Sequence, residues 1–433
     1  MNARYRFGLR SAGIASSGDI AGWPAVDIRR LRRRDRLWCR VPVVKVIRSV
    51  VTPGIEEVRT WLADWAVAHP DDVRVRLLSV EQGCTGQPAP GYEAAFLHAL
   101  VAGSAECGPS NSSLDPAGLD LGGLPFRLTL GHDWARLSYS HALGDGTATW
   151  YFLGMLLGDR HPRPGPVIAE PLGRGLLATF GPPRSRLPQA ITRQRELRHL
   201  RAPAPARAAG SAVRPSSFAV TTAVSAESFT QGAREFRVSR GPASVMSIMT
   251  MRAMLLCRHY GLTVDDTVTF MVDLRRYLSP GASVDGNFSW SKSVPVSASD
   301  TPTRLSARIG GILDSGLPLL NFGDALRRFE IRRAGRPPAW CAGDRTVRLM
   351  IAYATEWTNT PRPTGSATPR LTASIAPPSP NFLGFNVVEA YGRIHLSLNW
   401  CTATLDRAVA ERIAAEFVAD LGTGPVDASL WPS

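Results

Sequence analysis

The stretch from Trp134 to Leu157 constrains this chain more than any other. Trp134-Ala-Arg-Leu-Ser-Tyr-Ser140 reads as a strand, and it runs straight into His141-Ala-Leu-Gly-Asp145-Gly146. A helix-like run follows from Thr147, and Gly146 suits the sharp turn between. Ala135, Leu137, Tyr139 and His141 share one parity, so a strand points His141 the way of its apolar neighbours. A neutral imidazole there can take a proton from an alcohol or amine, and a carboxylate four residues on can fix the local geometry. The six-residue pattern alone also fits a histidine that only packs, with Asp145 as a simple turn-former.

A second segment with matching features lies far away: Val268-Thr-Phe-Met-Val-Asp273-Leu274-Arg275-Arg276-Tyr277-Leu278, then Gly286-Asn287-Phe288. HxxxDG in the first half, VDLRxYL in the second and the following GN resemble the chloramphenicol acetyltransferase-like superfamily. Its members include condensation domains of nonribosomal peptide synthetases, BAHD acyltransferases, and bacterial acyltransferases of polyketide lipids and wax esters. The resemblance spans nearly the whole chain. Leu31-Arg-Arg-Arg-Asp35-Arg-Leu37 is similar to the family's opening LSxLDRxL. Val58 to Arg76, ending in His69-Pro70 and Arg74-Val-Arg76, is similar to its first helix and HPxLRxR strand. Arg393 to Trp400, then Leu405-Asp406, is similar to its last strand and helix. One departure matters. Where condensation domains and wax-ester synthases carry HHxxxDG, the first histidine position is Ser140 here. The second histidine is the family's catalytic one, and it is present as His141. This favours a stand-alone acyltransferase over a typical peptide-bond-forming domain. The BAHD DFGWG motif has no clear match; Asn381-Phe-Leu-Gly-Phe385 comes nearest.

The resemblance implies an α/β fold of two chloramphenicol acetyltransferase-like lobes, each a mixed sheet with helices. Together they would form a V with a central tunnel, with His141 at its middle and donor and acceptor entering from opposite sides. The N-terminal lobe is expected over 19–177, a Pro/Arg/Ala-rich linker or crossover over 178–216, and the C-terminal lobe over 217–433. The implied enzyme moves an acyl group from a phosphopantetheine thioester directly to a hydroxyl of a small, natural-product-like acceptor, with His141 as general base. Coenzyme A or an acyl carrier protein would carry the acyl group, and no cofactor or metal would be bound. No GxSxG elbow offers a serine nucleophile, which fits direct transfer. Asp145 would pair with Arg275 and, with Gly146, support the site. Asn287 and Ser291 are candidates for holding the oxyanion or substrate. The alternatives are a free-standing condensation enzyme forming an amide on an amine acceptor, and a catalytically silent carrier-binding homologue.

Composition narrows the partners. The net charge of +14 suits an anionic donor such as coenzyme A or an acidic carrier, though a solvated arginine-rich face fits equally. The basic run Arg29 to Arg36 invites nucleic acid, but no zinc finger, RRM or helix-turn-helix signature accompanies it, so nucleic acid is not expected. The cysteines Cys39, Cys84, Cys107, Cys257, Cys341 and Cys401 show no CxxC or Cys/His spacing and read as incidental thiols. The longest apolar run, Trp150 to Leu157, is too short to span a bilayer, and the N-terminus lacks the apolar core of a signal peptide. A cytoplasmic protein is expected.

Local patterning predicts a helix opened by Thr52-Pro53, a strand over 73–80, a helix over 92–102, a hairpin over 126–140 and a helix over 147–157. Beyond the linker it predicts strands at 235–238, 268–274, 346–353, 385–390 and 393–400. Helices are predicted over 244–259, 303–313, 324–331 and after Asp406. The methionines of 244–259 read as core, or else as an acyl-binding wall.

Overall fold

The computed structural model of the chain describes residues 17–106, 108, 115–116, 119–158, 167–168, 170–182, 185–199, 217–297, 299–331, 346–354, 357, 360–377, 379, 381–402 and 404–423. Its first half contains β1 (Ser17–Ile20), β2 (Trp23–Arg30), the short α1 (Arg33–Arg36), β3 (Pro42–Arg48), α2 (Ile55–Ala68), β4 (Leu77–Ser79) and β5 (Cys84–Pro88). Then come α3 (Glu93–Leu100), β6 (Val101–Gly103), β7 (Phe126–Leu130), β8 (Trp134–Ser140), α4 (Gly146–Leu156), α5 (Pro171–Phe180) and α6 (Leu187–His199). The second half contains β9 (Ser217–Ser225), α7 (Ala226–Arg240), α8 (Val245–His259), β10 (Thr263–Val264), β11 (Thr267–Asp273) and β12 (Ser289–Pro295). It ends with α9 (Pro302–Asp314), α10 (Leu317–Ile331), β13 (Thr346–Ala354), β14 (Arg370–Ile375), β15 (Phe382–Ala390), β16 (Arg393–Cys401) and α11 (Arg407–Thr423).

Among the described residues the strands form three sheets. One is β1-β2-β5-β4; a second is β14-β3-β8-β7-β6; the third runs β12-β11-β13-β15-β16-β9, with β10 beside β13. The second and third are mixed: β6 is parallel to β7, β11, β13 and β15 are mutually parallel and β10 is parallel to β13, while the other pairs are antiparallel. Each mixed sheet has its own apolar core. Val58, Leu62, Leu128, Leu137 and Phe152 gather on the first. Met249, Phe270, Leu349, Leu396 and Phe417 gather on the other. Burial of this apolar surface is what holds each lobe together. Met249, Met251 and Met254 are buried in that second core, so this part of the methionine-rich helix packs.

The lobes are not separate along the chain. Strand β14 comes from the second half, yet pairs antiparallel with β3 of the first-half sheet from Arg370↔Arg48 to Ile375↔Val43. Its other edge faces β16, where the buried side chains of Ser397 and Asn399 take the place of a backbone ladder. Ala373 N donates to Ser397 Oγ (3.0 Å), Ile375 N to Asn399 Oδ1 (3.1 Å), and Asn399 Nδ2 returns a bond to Ala373 O (3.1 Å). Sequence boundaries at 178 and 217 therefore do not follow the sheets throughout. Residues 187–199 of the expected linker are the helix α6, and 200–216 lie outside the described residues.

Three local expectations are corrected. Residues 235–238, expected as a strand, lie inside α7: Phe229 and Ala233 are buried at helical spacing, while Val238 is 84% exposed. Thr52 does not cap α2; its hydroxyl donates to Gly131 O (2.9 Å), leaving Gly54 at the cap. Residues 73–75 are a 3-10 turn rather than strand, because Asp72 accepts from the Arg74 amide (2.9 Å) and delays the strand to Leu77. The basic run is not one exposed face either, since Arg34 and Arg36 are buried and Arg29 pairs with Asp27 and Asp71.

Candidate active site

The site begins where β8 ends. Ala135, Leu137 and Tyr139 point into the core, and the chain then leaves the sheet in a 3-10 turn, His141–Leu143. Ser140, at the position of the missing first histidine, makes that exit. Its hydroxyl accepts from Ala142 N (3.2 Å) and donates to Cys39 O (2.7 Å). His141 N donates to Val41 O (2.8 Å), so the histidine backbone is tied to the entrance of β3. Gly144 then turns at φ +151°, where a Cβ would lie 2.7 Å from that of Ala148. Asp145 caps α4 by accepting from Ala148 N (3.1 Å).

The second half brings its residues to the same place. Arg275 donates to both oxygens of Asp145, at 2.8 and 3.3 Å, and the Phe288 amide adds a third bond (2.9 Å). The Asp145 carboxyl is buried. Burial alone would raise it, but the Arg275 guanidinium and the Phe288 and Ala148 amides hold it below the usual carboxylate range. Arg275 also donates to Val284 O (3.2 Å) and Gly286 O (3.4 Å), shaping the loop that carries Asn287. Gly286 sits at φ +85°, with Asp35 so close that a Cβ would come within 2.9 Å of its carboxylate.

Asn287 is the direct neighbour of His141. Its Oδ1 lies 2.9 Å from His141 Nδ1, and its Nδ2 donates to His141 O (2.7 Å) and Asp35 Oδ1 (3.3 Å). The Asn287 backbone amide also donates to Asp35 Oδ1 (3.1 Å). Both Nδ2 hydrogens are thus in use, so Asn287 orients the imidazole and offers no free N–H to an oxyanion, contrary to the sequence expectation. Ser291, half-buried on β12 opposite Met271, makes none of these bonds. Gly146 opens α4 and places its carbonyl inward, where it accepts from Lys45.

Two ionisable residues and two tryptophans complete the surroundings, and sequence reasoning gave none of them a role. Asp35 is buried; burial pushes its carboxyl up to about 6, against the pull of Arg34 and the Asn287 donors. Its signal was a lone acid in an arginine run, but no local pattern says that the acid meets a residue about 250 positions away. Lys45 is buried on β3, and Trp38 stacks on the His141 ring with centroids 4.9 Å apart and planes at 22°. Trp290 meets Trp38 edge-on at 6.4 Å. Burial lowers the His141 imidazole below its ordinary range, against Asp145 and Asn287, which favour the charged form. Cys39, Cys84 and Cys257 are buried, and burial raises each thiol, Cys257 to about 12, so none is a ready nucleophile.

The fold resembles the two-lobed condensation-domain and chloramphenicol acetyltransferase-like folds of solved structures. No protein-family model matches the chain, and no curated protein matches its sequence. Solved structures match it in fold. The chain is similar to polyketide synthase associated protein 5 from Mycobacterium tuberculosis, with a TM-score of 0.55 at 13% identity over 91% of this chain and 98% of that one. It is similar to TRI3 trichothecene 15-O-acetyltransferase from Fusarium sporotrichioides, with a TM-score of 0.55 at 12% identity over 94% and 96%. It is also similar to the nonribosomal peptide synthetase FmoA3, with a TM-score of 0.57 at 16% identity over 96% of this chain and 46% of that one. No helix among the described residues is long and apolar enough to cross a membrane.

Proposed function

We propose that the protein transfers an acyl group from a phosphopantetheine thioester, on coenzyme A or a carrier protein, directly to a hydroxyl of a small-molecule acceptor. The observation that carries this reading is the hydrogen bond from His141 Nδ1 to Asn287 Oδ1 (2.9 Å). It assigns the ring proton to Nδ1 and leaves the Nε2 lone pair for the acceptor. Turning the amide over would set its oxygen against the His141 carbonyl and the Asp35 carboxylate, so the tautomer is fixed from two sides. Burial favours the uncharged imidazole, the form that can accept a proton.

Nε2 takes the proton from the acceptor hydroxyl as its oxygen attacks the thioester carbon. The tetrahedral oxyanion collapses, the carbon–sulfur bond breaks with its electron pair on sulfur, and the imidazolium returns its proton to the thiolate. An ester and a free thiol leave, and His141 is neutral again. Asp145 takes no part in the proton transfer, since Arg275 and the α4 and Phe288 amides occupy it. The polyketide-associated and acetyltransferase folds among the similar structures support this class of chemistry.

The test is a panel of coenzyme A-linked and carrier-linked acyl donors against alcohols and amines, read by mass spectrometry. The expected result is an ester and a free thiol with the native chain, and a loss of about 10²–10⁴-fold in His141→Ala at unchanged melting temperature. Use of a free acid with ATP while thioesters stay inert, or full turnover by His141→Ala, would overturn it. Products from amines alone would establish the amide-forming alternative.

A further inference from the structure

Strand β3 runs through the interior of its sheet with Val43, Val44, Val46 and Ile47 all buried, yet its middle residue is Lys45, 2% exposed. The ammonium makes no ion pair among the described residues. It donates to Gly146 O (3.1 Å) and Thr149 Oγ1 (2.6 Å), and lies 4.0 Å from the centre of the Trp150 ring. Thr149 spends its own proton on Asp145 O (2.8 Å), so its oxygen accepts from both Lys45 and the Tyr139 hydroxyl (2.9 Å). Lys45 therefore grips two successive carbonyls, that of Gly146 directly and that of Asp145 through Thr149. For packing alone this is a poor choice. Burial pushes the Lys45 amine well below its ordinary range, against the pull of Asp145, and the N-terminal turn of a helix disfavours positive charge. A methionine would fill the same space without either penalty.

We propose that Lys45 is a positioning residue for the acyl transfer. It locks the Asp145–Gly146 step from beneath, so that the Asp145 carboxylate meets Arg275 and the Phe288 amide and seats the Asn287 loop against His141. The kinetic part rests on the general-base reading of His141; the positioning part rests on the hydrogen bonds alone.

Lys45→Met in the full chain tests both. Amide hydrogen exchange reads the positioning without any turnover, because Ala148 N and Phe288 N both donate to Asp145. Exchange in peptides covering 145–149 and 286–289 should quicken about tenfold, with the rest of the first-half sheet unchanged and the melting temperature equal or higher. In the transfer assay kcat should fall by about 10²-fold while KM stays within about twofold. Thr149→Val, which keeps the lysine and breaks its link to Asp145, should reproduce the exchange and kcat changes, and it carries the test if Lys45→Met does not fold. Wild-type exchange at both peptides overturns the proposal. So does a lower melting temperature with faster exchange spread over the whole sheet, which marks a purely structural lysine. Unaltered turnover by His141→Ala in the same assay removes the general-base reading and leaves the exchange result to decide on Lys45.

Discussion

A histidine can take a proton only through a ring nitrogen that does not already hold one, and in the proposed mechanism Asn287 draws the His141 ring proton to Nδ1. The pH dependence follows from the burial that depresses His141. Its neutral form persists to lower pH than a free imidazole would, so the acid limb of kcat/KM should lie below about pH 6.5, with a plateau above. A limb at or above that value in a pH–rate profile would refute it. Stability shares the sign. Between the folded pKa and about 6.5 the unfolded chain binds the proton that the folded one refuses, so this contribution is lost as pH falls through that window. His141 and Asp145 stood out in the sequence because a strand end, a turn and a helix lie within one short motif, whereas Arg275, 130 positions from Asp145, was joined to it only through the family resemblance. Asp35, Trp38 and Lys45 did not stand out, because their meaning lies in contacts with residues about 100 to 250 positions away.

The loop from Val284 to Phe288 is a second element, beside β14, on which the two halves meet. Arg275 holds two of its carbonyls, Asp145 its Phe288 amide, Asp35 its Asn287 amide, and Arg34 the carbonyl of Asp285. Gly286 has no room for a methyl group and a backbone that disfavours one. Gly286→Ala should destabilise the fold by about 1–3 kcal/mol and lower kcat by pushing Asn287 from the imidazole. A thermal melt and kinetics equal to wild type would contradict the geometry. Asp145→Ala and Arg275→Ala should each cost about 3–5 kcal/mol, and the double variant clearly less than the sum. Strict additivity in a double-mutant cycle would show that the pair is not the unit. Because Asp145 is held below the usual carboxylate range, its contribution is present above the unfolded pKa of about 3.9 and lost as pH falls through the folded value. At this scale the clear periodic elements were legible: the β7–β8 hairpin, α8 and β16. The misread ones have physical reasons. Helix α7 hides behind the Glu-Phe-Arg-Val alternation at 235–238, and α2 lost its threonine cap to a carbonyl of the hairpin turn.

At the scale of the whole molecule, charge and chain path set the remaining behaviour. Part of the +14 is internal, since Arg34, Arg36, Arg74, Arg76 and Arg252 are buried, but an excess of basic groups remains outside. If an anionic donor is drawn by that field, its KM should rise between about 0.05 and 0.5 M salt while kcat holds, because screening shortens the reach of surface charge. A salt-independent KM would remove the electrostatic attraction and leave the chemistry in place. Mixed sheets could be anticipated from strands interleaved with helices in both halves, and two lobes from the family resemblance. The strand exchanged between them could not, because local patterning gave no strand over 370–375 and nothing local names β3 as its partner. That exchange has a consequence for how the protein is made. Roughly 330 residues separate Val43 from Ile375, and a ribosome adding about 5–20 residues per second takes roughly 15–65 s to cross them. For that interval nascent β3 has an open edge, a template for pairing with other chains, and the first-half sheet waits for a strand that has yet to be translated.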